Sequence, residues 1–356
     1  MCVPYARYRR GKKIAKGVDA FDYMEKRTAS LPLFVEDLPS NLNPGTCISI
    51  RGFVSPDCSR FSINLCGSKN PNSDIALHIN PRFSQRYVVR NSRKKGEWGQ
   101  EQVTSVSKFP LQRNSNFELD ILVTEIDYLI AINGKHIASF LHRIPLDKVK
   151  CLRIEGKVDV SGMGFAECDI YPRPSTLNAP HIVPFASGGG DEVSNLLDIP
   201  LTATLPKGFQ KGWQLEITGR VKILPEEFFL NLQKGGQVWP EPLIYLHINP
   251  RFRTPRAEQL FVINAKIDGN WGQEERTSTF QFSPDTSFSL AIRKEFDHFS
   301  IWVDGQLSSE FQFRGNVSEI DSVFIQGDIV LKDICMREHS DDKYFKKSFD
   351  SEDTLI

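Results

Sequence analysis

A six-residue motif rich in polar side chains occurs twice in the chain. Residues 78–83 and 247–252 both read HINPRF, and the residues WGQE follow each copy at 98–101 and 271–274. On a β-strand, alternate residues project from one face, so the histidine, asparagine and arginine of each motif would lie side by side. They offer hydrogen-bond donors and acceptors of three different geometries. No nucleophile–base pair accompanies them, which favours binding over catalysis.

A second asparagine, an indole and a carboxylate complete each set. In the second copy Asn264 is followed by Trp271 and Glu274, and the first copy has the same residue types at the same intervals. An indole provides a flat surface with a negative π-face, which suits the C–H groups on one side of a sugar ring. Directional hydrogen bonds would select the hydroxyls, because a mismatch leaves buried polar groups unpaired. The pattern therefore indicates one sugar site in each copy.

These residues resemble the galectin family, whose pattern is H-x-N-P-R, then V-x-N, then W-x-x-E-x-R. The resemblance covers most of residues 31–338. It implies a non-enzymatic lectin that binds β-galactosides of the lactose or N-acetyllactosamine type on glycoproteins or glycolipids, with neither a cofactor nor a metal. The implied sugar-binding residues of the first copy are His78, Asn80, Arg82, Asn91, Trp98 and Glu101. Those of the second copy are His247, Asn249, Arg251, Asn264, Trp271, Glu274 and Arg276.

The resemblance also implies a role for each residue. The histidine, first asparagine and arginine would bond the axial 4-hydroxyl of galactose, the second asparagine and the glutamate would take the 6-hydroxyl, and the tryptophan would stack on the ring. Arg251, Glu274 and Arg276 would reach the neighbouring sugar. The first copy has Val103 at the position of Arg276 and a shorter connection between residues 78 and 91. We therefore expect the two sites to share galactose and to differ in glycan preference.

Apolar and polar residues alternate with a period of two around the motifs, and turn dipeptides such as Asn133-Gly134 and Asp304-Gly305 interrupt them at short intervals. No long amphipathic helical pattern is present. The sequence therefore predicts an all-β protein with two antiparallel β-sandwich domains in tandem. The resemblance adds the jelly-roll-like arrangement of galectin and concanavalin folds.

The duplication and the local composition divide the chain into five segments. We predict a flexible basic extension at 1–30, a first carbohydrate-recognition domain at 31–172, a Pro/Gly-rich linker at 173–195, a second such domain at 196–338 and a charged tail at 339–356. Proline removes backbone donors and glycine adds flexibility, and both are frequent in the linker segment. Two sites on one chain would allow cross-linking of glycans or cells.

The 356 residues carry 44 basic and 44 acidic side chains, so a global field for nucleic acid is absent. Residues 1–172 hold 25 basic against 18 acidic side chains, and the remainder holds 19 against 26. We hypothesise that these opposite charges draw the two domains together or pair one chain with another. No apolar run is long enough for a transmembrane helix, and the N-terminus lacks the apolar region of a secretory signal.

The seven cysteines form no CxxC pair, which favours reduced thiols over disulfides or a zinc site. We expect a cytoplasmic protein, and the resemblance implies an additional, non-classical route to the extracellular space. Two alternatives stay open: an intracellular scaffold on a galectin fold with weak or altered sugar binding, and an enzyme that acts on galactosides. The oligomeric state is not specified by the sequence.

Overall fold

The computed structural model describes residues 34–39, 41–186, 196–253, 259–277 and 279–338. Within these ranges the chain forms β-strands and two short 3-10 turns, at Leu146–Lys148 and Val317–Glu319. The strands make four sheets, two in each half of the chain. The prediction of an all-β protein with two tandem β-sandwich domains is therefore confirmed. The predicted extension at 1–30 and tail at 339–356 lie outside the described residues.

Two antiparallel sheets form the first domain. In spatial order, one sheet contains β1 (Phe34–Asp37), β10 (Cys151–Gly156), β3 (Phe61–Cys66), β4 (Ile75–Arg82), β5 (Tyr87–Lys94) and β6 (Glu97–Trp98). The other contains β11 (Val158–Glu167), β2 (Thr46–Val54), β7 (Ser115–Val123), β8 (Asp127–Ile132) and β9 (Lys135–Leu141). Inward-facing residues of both sheets, such as Ile48, Ile63 and Ile121, are fully buried in one core. This packing fixes which face of β4 points outward, because a one-residue slip would reverse every side chain.

The second domain repeats this plan with a few more strands. One sheet has β12 (His181–Ile182), β14 (Leu201–Thr204), β24 (Ser322–Gly327), β16 (Phe228–Lys234), β17 (Leu243–Arg251), β18 (Leu260–Ile267) and β19 (Asn270–Trp271) in spatial order, and β20 (Glu275–Thr277) also pairs with β18. The other has β13 (Phe185–Ala186), β25 (Ile329–Glu338), β15 (Trp213–Val221), β21 (Ser287–Lys294), β22 (His298–Val303) and β23 (Gln306–Gln312). Its core is separate from that of the first domain.

The described part of the predicted linker is bound to both domains. The hydroxyl of Ser175 donates to Glu118 Oε2 at 2.7 Å, and Asn178 Nδ2 donates to the Asn133 carbonyl at 2.7 Å. Further along, β12 pairs with β14 and β13 pairs with β25, both in parallel. Val183, between them, is fully buried in the second core. The prolines of this segment do not prevent its contact with the domains, because other residues of the segment form hydrogen bonds and apolar contacts with both domains.

The two domains also contact each other directly. The backbone of Tyr171 accepts hydrogen bonds from the N–H groups of Val238 and Trp239 at 2.7 and 2.9 Å, and its own N–H donates to the Trp239 carbonyl at 2.8 Å. The Tyr171 side chain is fully buried in a small cluster of the first domain, and Trp239 packs against that cluster. Across the same boundary, Lys108 Nζ lies 2.5 Å from Asp198 Oδ1. This ion pair agrees with the opposite charges of the two halves, but both side chains are exposed, so it contributes only about 0.2–1 kcal/mol.

Candidate functional site

The central strand of one sheet presents the polar motif in each domain. His78, Asn80 and Arg82 alternate along β4, and their side chains share one face because the intervening isoleucine is buried in the core. In the register, His78 lies opposite Asn64 on β3 and opposite Asn91 on β5. Strand β17 repeats this arrangement, with its histidine opposite Asn231 and Asn264. The structure thus brings the motif residues of each copy together on one surface.

The histidine of the first site is held in one tautomer by an asparagine. His78 Nδ1 is 2.5 Å from Asn64 Oδ1, and Asn64 Nδ2 donates to the Ser62 hydroxyl at 3.1 Å. Because the asparagine amide donates to Ser62, its oxygen accepts the Nδ1 proton of His78. Burial, reinforced by the nearby Arg82 guanidinium, lowers the pKa of His78 to about 3. The imidazole is therefore neutral, and its Nε2 is an acceptor for a ligand hydroxyl.

The second site repeats this device. His247 Nδ1 is 2.7 Å from Asn231 Oδ1, and burial together with Arg251 lowers the pKa of His247 to about 3. Asn231 in turn donates to Gln233 Oε1 at 3.5 Å, where the first site uses a serine hydroxyl two residues before its asparagine. The neutral imidazole is thus common to both sites, although its outer support differs.

Each arginine is fixed by the neighbouring asparagine and by the predicted glutamate. In the first site Arg82 Nε donates to Asn80 Oδ1 at 3.1 Å, and its Nη2 lies 3.0 Å from Glu101 Oε1. The remaining nitrogen donates to the Tyr87 hydroxyl at 3.3 Å. Asn80 itself donates to the Phe61 carbonyl at 2.5 Å, which settles the orientation of its amide. The result is a rigid, planar guanidinium beside the histidine.

The second site extends this pair into a triad of charges. Arg251 donates to Asn249 Oδ1 at 2.5 Å, and its Nη1 lies 3.1 Å from Glu274 Oε1. The other carboxylate oxygen of Glu274 accepts from Arg276 Nε and Nη2 at 3.0 and 2.6 Å. Both oxygens of the glutamate are therefore paired with guanidinium groups. The first site lacks this second arginine, since Val103 stands in its place and is 44% exposed.

The indole stands next to the histidine in both domains. Ring centroids of His78 and Trp98 are 4.8 Å apart at an angle of 60°, and those of His247 and Trp271 are 4.9 Å apart at 65°. Trp98 is 50% exposed, which is unusual for the largest apolar side chain and leaves surface for a ligand. A polar row and an aromatic surface thus meet at a corner in each domain, with Trp98 exposed and Trp271 half-buried.

The second asparagine supports the loop that carries the tryptophan. Asn91 donates to the Gly99 carbonyl at 2.9 Å and accepts from the Ser92 N–H at 2.8 Å, while Arg143 donates to it at 3.2 Å. A side chain at position 99 would place its Cβ 2.7 Å from the Arg143 guanidinium, so that guanidinium would have to move away from its position beside Asn91. Arg314, Asn264 and Gly272 have the same arrangement in the second site, where the Cβ contact would be 2.6 Å.

Charge and apolar character differ at the margin of the two sites. The backbone of Arg60 forms an isolated antiparallel β-bridge with that of Arg82 in the first domain. Glu227 forms the matching backbone β-bridge with Arg251 in the second domain. Glu227 Oε2 lies 3.8 Å from Arg251 Nε. Ser62 of the first domain is replaced in register by Phe229, whose ring is 5.5 Å from that of His247. The first margin is therefore basic and polar, whereas the second is acidic and aromatic.

The strand that follows the tryptophan also differs. In the second domain β20 pairs with β18 at three positions and carries Arg276. In the first domain a single backbone β-bridge between Arg90 and Gln102 replaces this paired strand. Arg90 is buried, and it donates to the carbonyls of Val88 and Thr104 at 3.0 and 2.5 Å. Val103 consequently lies in an irregular segment rather than in a sheet.

Several residues that support the site do not belong to the sequence motif. Asn64, Asn231, Tyr87, Arg143 and Arg314 support the predicted residues from neighbouring strands or from a loop beyond β9 or β23. The repeat itself held a signal for most of them, because an Asn-Leu pair precedes the motif and an arginine follows it at similar distances in both copies. Tyr87 had none, since its counterpart in register is Leu260.

Among the described residues, no group of three or more His, Cys, Asp or Glu side chains is arranged to hold a metal ion. No helix in the described ranges is long and apolar enough to cross a membrane. The six cysteines in those ranges are free and buried. The sites therefore consist of hydrogen-bonding side chains, an aromatic surface and paired charges.

Comparison with known proteins finds a family model that matches both domains and relatives that align with most of the chain. The family model described as galactoside-binding lectin matches residues 33–165 and again residues 200–336. Galectin-8 of Rattus norvegicus is 32% identical over 308 residues, which cover 85% of this chain and 94% of the relative. Galectin-4 of Sus scrofa is 30% identical over 329 residues, covering 88% and 98%. The 32 kDa beta-galactoside-binding lectin of Haemonchus contortus is 31% identical over 301 residues, covering 83% and 92%.

Proposed function

The chain belongs to the galactoside-binding lectin family, and from this premise we propose that it binds β-galactoside glycans through one site in each domain. The observation that carries the proposal is the corner formed twice by a neutral histidine, a fixed guanidinium and an indole. A galactose ring has an apolar face and an axial hydroxyl at its edge. The indole would cover the face, while the polar row would bind the hydroxyl.

The geometry supports a distinct role for each group. His78 Nε2 and His247 Nε2 would accept a hydrogen bond from the 4-hydroxyl, since each Nδ1 is already bonded. Arg82 and Arg251 would donate to the same hydroxyl from a fixed plane. Asn91 and Asn264 each have an amide hydrogen left after bonding the glycine carbonyl, which suits a donor to the 6-hydroxyl. Directional pairing of this kind would disfavour sugars with an equatorial 4-hydroxyl.

We further propose that the two sites prefer different glycans. Arg276 would add a donor toward the neighbouring sugar in the second site, and Val103 supplies none in the first. The basic margin at Arg60 would favour acidic substituents on the glycan in the first site, whereas Glu227 would disfavour them in the second. Both sites would still bind the galactose ring itself.

Galactosides would be bound without being cleaved. Glycoside hydrolysis needs two carboxyl groups on opposite sides of the scissile bond, one of them a proton donor. Each corner has one motif glutamate, and both oxygens of Glu274 are paired with guanidinium groups. The other carboxylate near the second corner, Glu227, lies beside the same Arg251 guanidinium as Glu274. Incubation with lactose followed by chromatography of the products would reveal cleavage, and free galactose would overturn this part of the proposal.

Two sites on one chain would allow the protein to link glycoproteins or glycolipids to one another. A cytoplasmic location with non-classical export stays a prediction, and the free thiols among the described cysteines support a reducing compartment. Fractionation of cells and medium, with antibody detection, would test it. The segment boundaries given from the sequence also stay predictions, which limited proteolysis would check.

Retention on lactose-agarose tests the proposed function. Trp98→Ala and Trp271→Ala should each weaken one site several-fold, because stacking of a ring on an aromatic side chain contributes about 1–3 kcal/mol. The double variant should pass through the column, while the wild-type protein elutes with free lactose. Trp302→Ala, which changes a tryptophan of the second sheet away from the corner, serves as the control. Failure of the wild type to bind would favour a scaffold role on the same fold.

A further inference from the structure

One loop of the second domain reaches both the first domain and the second site. This loop, residues 235–242, joins β16 to β17. At its centre, Val238 and Trp239 form the three backbone hydrogen bonds with Tyr171 described above. Val238 and Trp239 also pack against the small buried cluster of the first domain that contains Tyr171. The middle of the loop is thus fixed by the first domain.

The other end of the loop supports the indole of the second site. Glu241 forms an ion pair with Lys266, whose side chain is only 9% exposed. The Lys266 ammonium lies 5.8 Å from the centroid of the Trp271 ring. A buried ammonium needs a charged partner, because an unpaired one is strongly disfavoured. Glu241 therefore holds Lys266 in place, and Lys266 in turn lies against the aromatic ring that would cover galactose.

The first site has the same support without the interdomain link. Arg93 lies 5.7 Å from the Trp98 centroid, and it donates to the carbonyls of Pro71 and Ser73 at 2.5 and 2.9 Å. These carbonyls belong to the loop between β3 and β4, which is the counterpart of residues 235–242. Lys95 and Arg153 bind that loop as well, and both belong to the first domain.

From this asymmetry we propose that docking of the first domain positions the sugar site of the second. The contact at Tyr171 restrains Trp239, the restrained loop presents Glu241 to Lys266, and Lys266 keeps Trp271 in its binding orientation. The inference rests on the proposed function for its consequence in sugar affinity. Trp239 and Glu241 act here as positioning residues. Without docking, the loop would sample more conformations and the ion pair would form in a smaller fraction of molecules.

Two measurements on the full-length protein test the coupling. In the ligand-free state, Trp239→Ala should shift the indole N–H resonance of Trp271 in a ¹⁵N spectrum and leave that of Trp98 in place. In a Trp98→Ala background, which leaves only the second site, Trp239→Ala should weaken lactose binding by about 3–10-fold by calorimetry. Glu241→Gln should have a similar effect, because the amide keeps the shape and loses the charge.

Matched variants separate coupling from a general loss of structure. Trp239→Phe keeps an aromatic group at the contact and should restore most of the affinity, whereas Trp302→Ala should leave the second site unchanged. An unmoved Trp271 resonance in Trp239→Ala would overturn the coupling whether or not sugar binds. A shifted resonance in a protein that binds no lactose would uphold the coupling and refute the proposed function.

Discussion

Exchange of Arg276 and Val103 addresses the one position at which the two sugar motifs differ. Arg276 donates twice to Glu274, and Arg251 approaches the other oxygen of that carboxylate. Because the Arg276 side chain is 56% exposed, its ion pair alone is worth only about 0.2–1 kcal/mol. A hydrogen bond from its guanidinium to a second sugar would add to this. We expect Arg276→Val to cost about 1–2 kcal/mol in lactose binding, or about 5–30-fold in Kd.

Calorimetry with two ligands measures where this loss occurs. In a Trp98→Ala background, lactose probes both sugar positions and methyl β-galactoside probes only the first. Arg276→Val should weaken lactose and leave methyl β-galactoside nearly unchanged. The reverse exchange, Val103→Arg in a Trp271→Ala background, should strengthen lactose by less, because Val103 follows a single bridge at Gln102 and lies outside a regular strand.

An equal loss for both ligands would refute this reasoning, since it would mean that Arg276 supports the galactose position through Glu274. No loss for either ligand would refute it too. The conservative variant Arg276→Lys helps to separate charge from geometry, because lysine keeps the charge and lacks the planar fork. We expect an intermediate affinity for lactose from this variant.

Three further predictions concern the histidine support and the charged margin. Because the pKa of His247 is about 3 instead of 6.5, protonation of this residue should not change the Kd of the second site for lactose between pH 7.5 and 5, as measured by calorimetry. Its contribution to folding stability should be complete above pH 6.5 and decline as the pH falls toward 3, because the unfolded chain binds the proton that the folded site excludes. Asn231→Leu should weaken second-site lactose binding about 10-fold, since His247 Nδ1 then loses its acceptor and the tautomer is no longer fixed. Arg60→Glu should lower the preference of the first site for sulfated over neutral lactose, a preference that should also fall with added salt in the wild type.

Each of these has a contrary outcome. Lactose affinity that declines around pH 6.5, matched by an imidazole resonance titrating there, would show that the histidine is not shielded. Unchanged binding in Asn231→Leu would remove the tautomer argument. Equal binding of sulfated and neutral lactose by the first site, measured in a Trp271→Ala background, would contradict the role given to Arg60.

The shared strand face and the polar corner were predictable from the sequence because period two and repetition both act locally. Alternation in HINPRF fixes which side chains share a face, and a second copy with the same spacing makes chance agreement implausible. The support residues depend instead on contacts between distant segments. Tyr87 reaches Arg82 only because a β-hairpin pairs their positions, and its counterpart is a leucine. Arg143 reaches Asn91 from a loop 52 residues away in sequence.

The contact between the domains could not be predicted from the sequence for a different reason. The sequence indicated opposite charges, yet the contact depends mainly on Tyr171 and on the backbone of Val238 and Trp239. Backbone hydrogen bonds do not require particular residue types, so the sequence does not indicate them. A tryptophan without a counterpart in the other copy is interpreted as an ordinary packing residue. The linker likewise has the composition of a free segment, although its described residues bind both domains.

The bridge at Tyr171 affects how this protein should be dissected in the laboratory. A cut between the domains would leave the Tyr171 N–H and carbonyl without their partners and would uncover an aromatic surface on each fragment. Such fragments would be prone to self-association, and their glycan profiles would describe molecules that differ from the intact chain. Silencing one site by a point substitution, with both domains present, gives the cleaner account of what each site recognises.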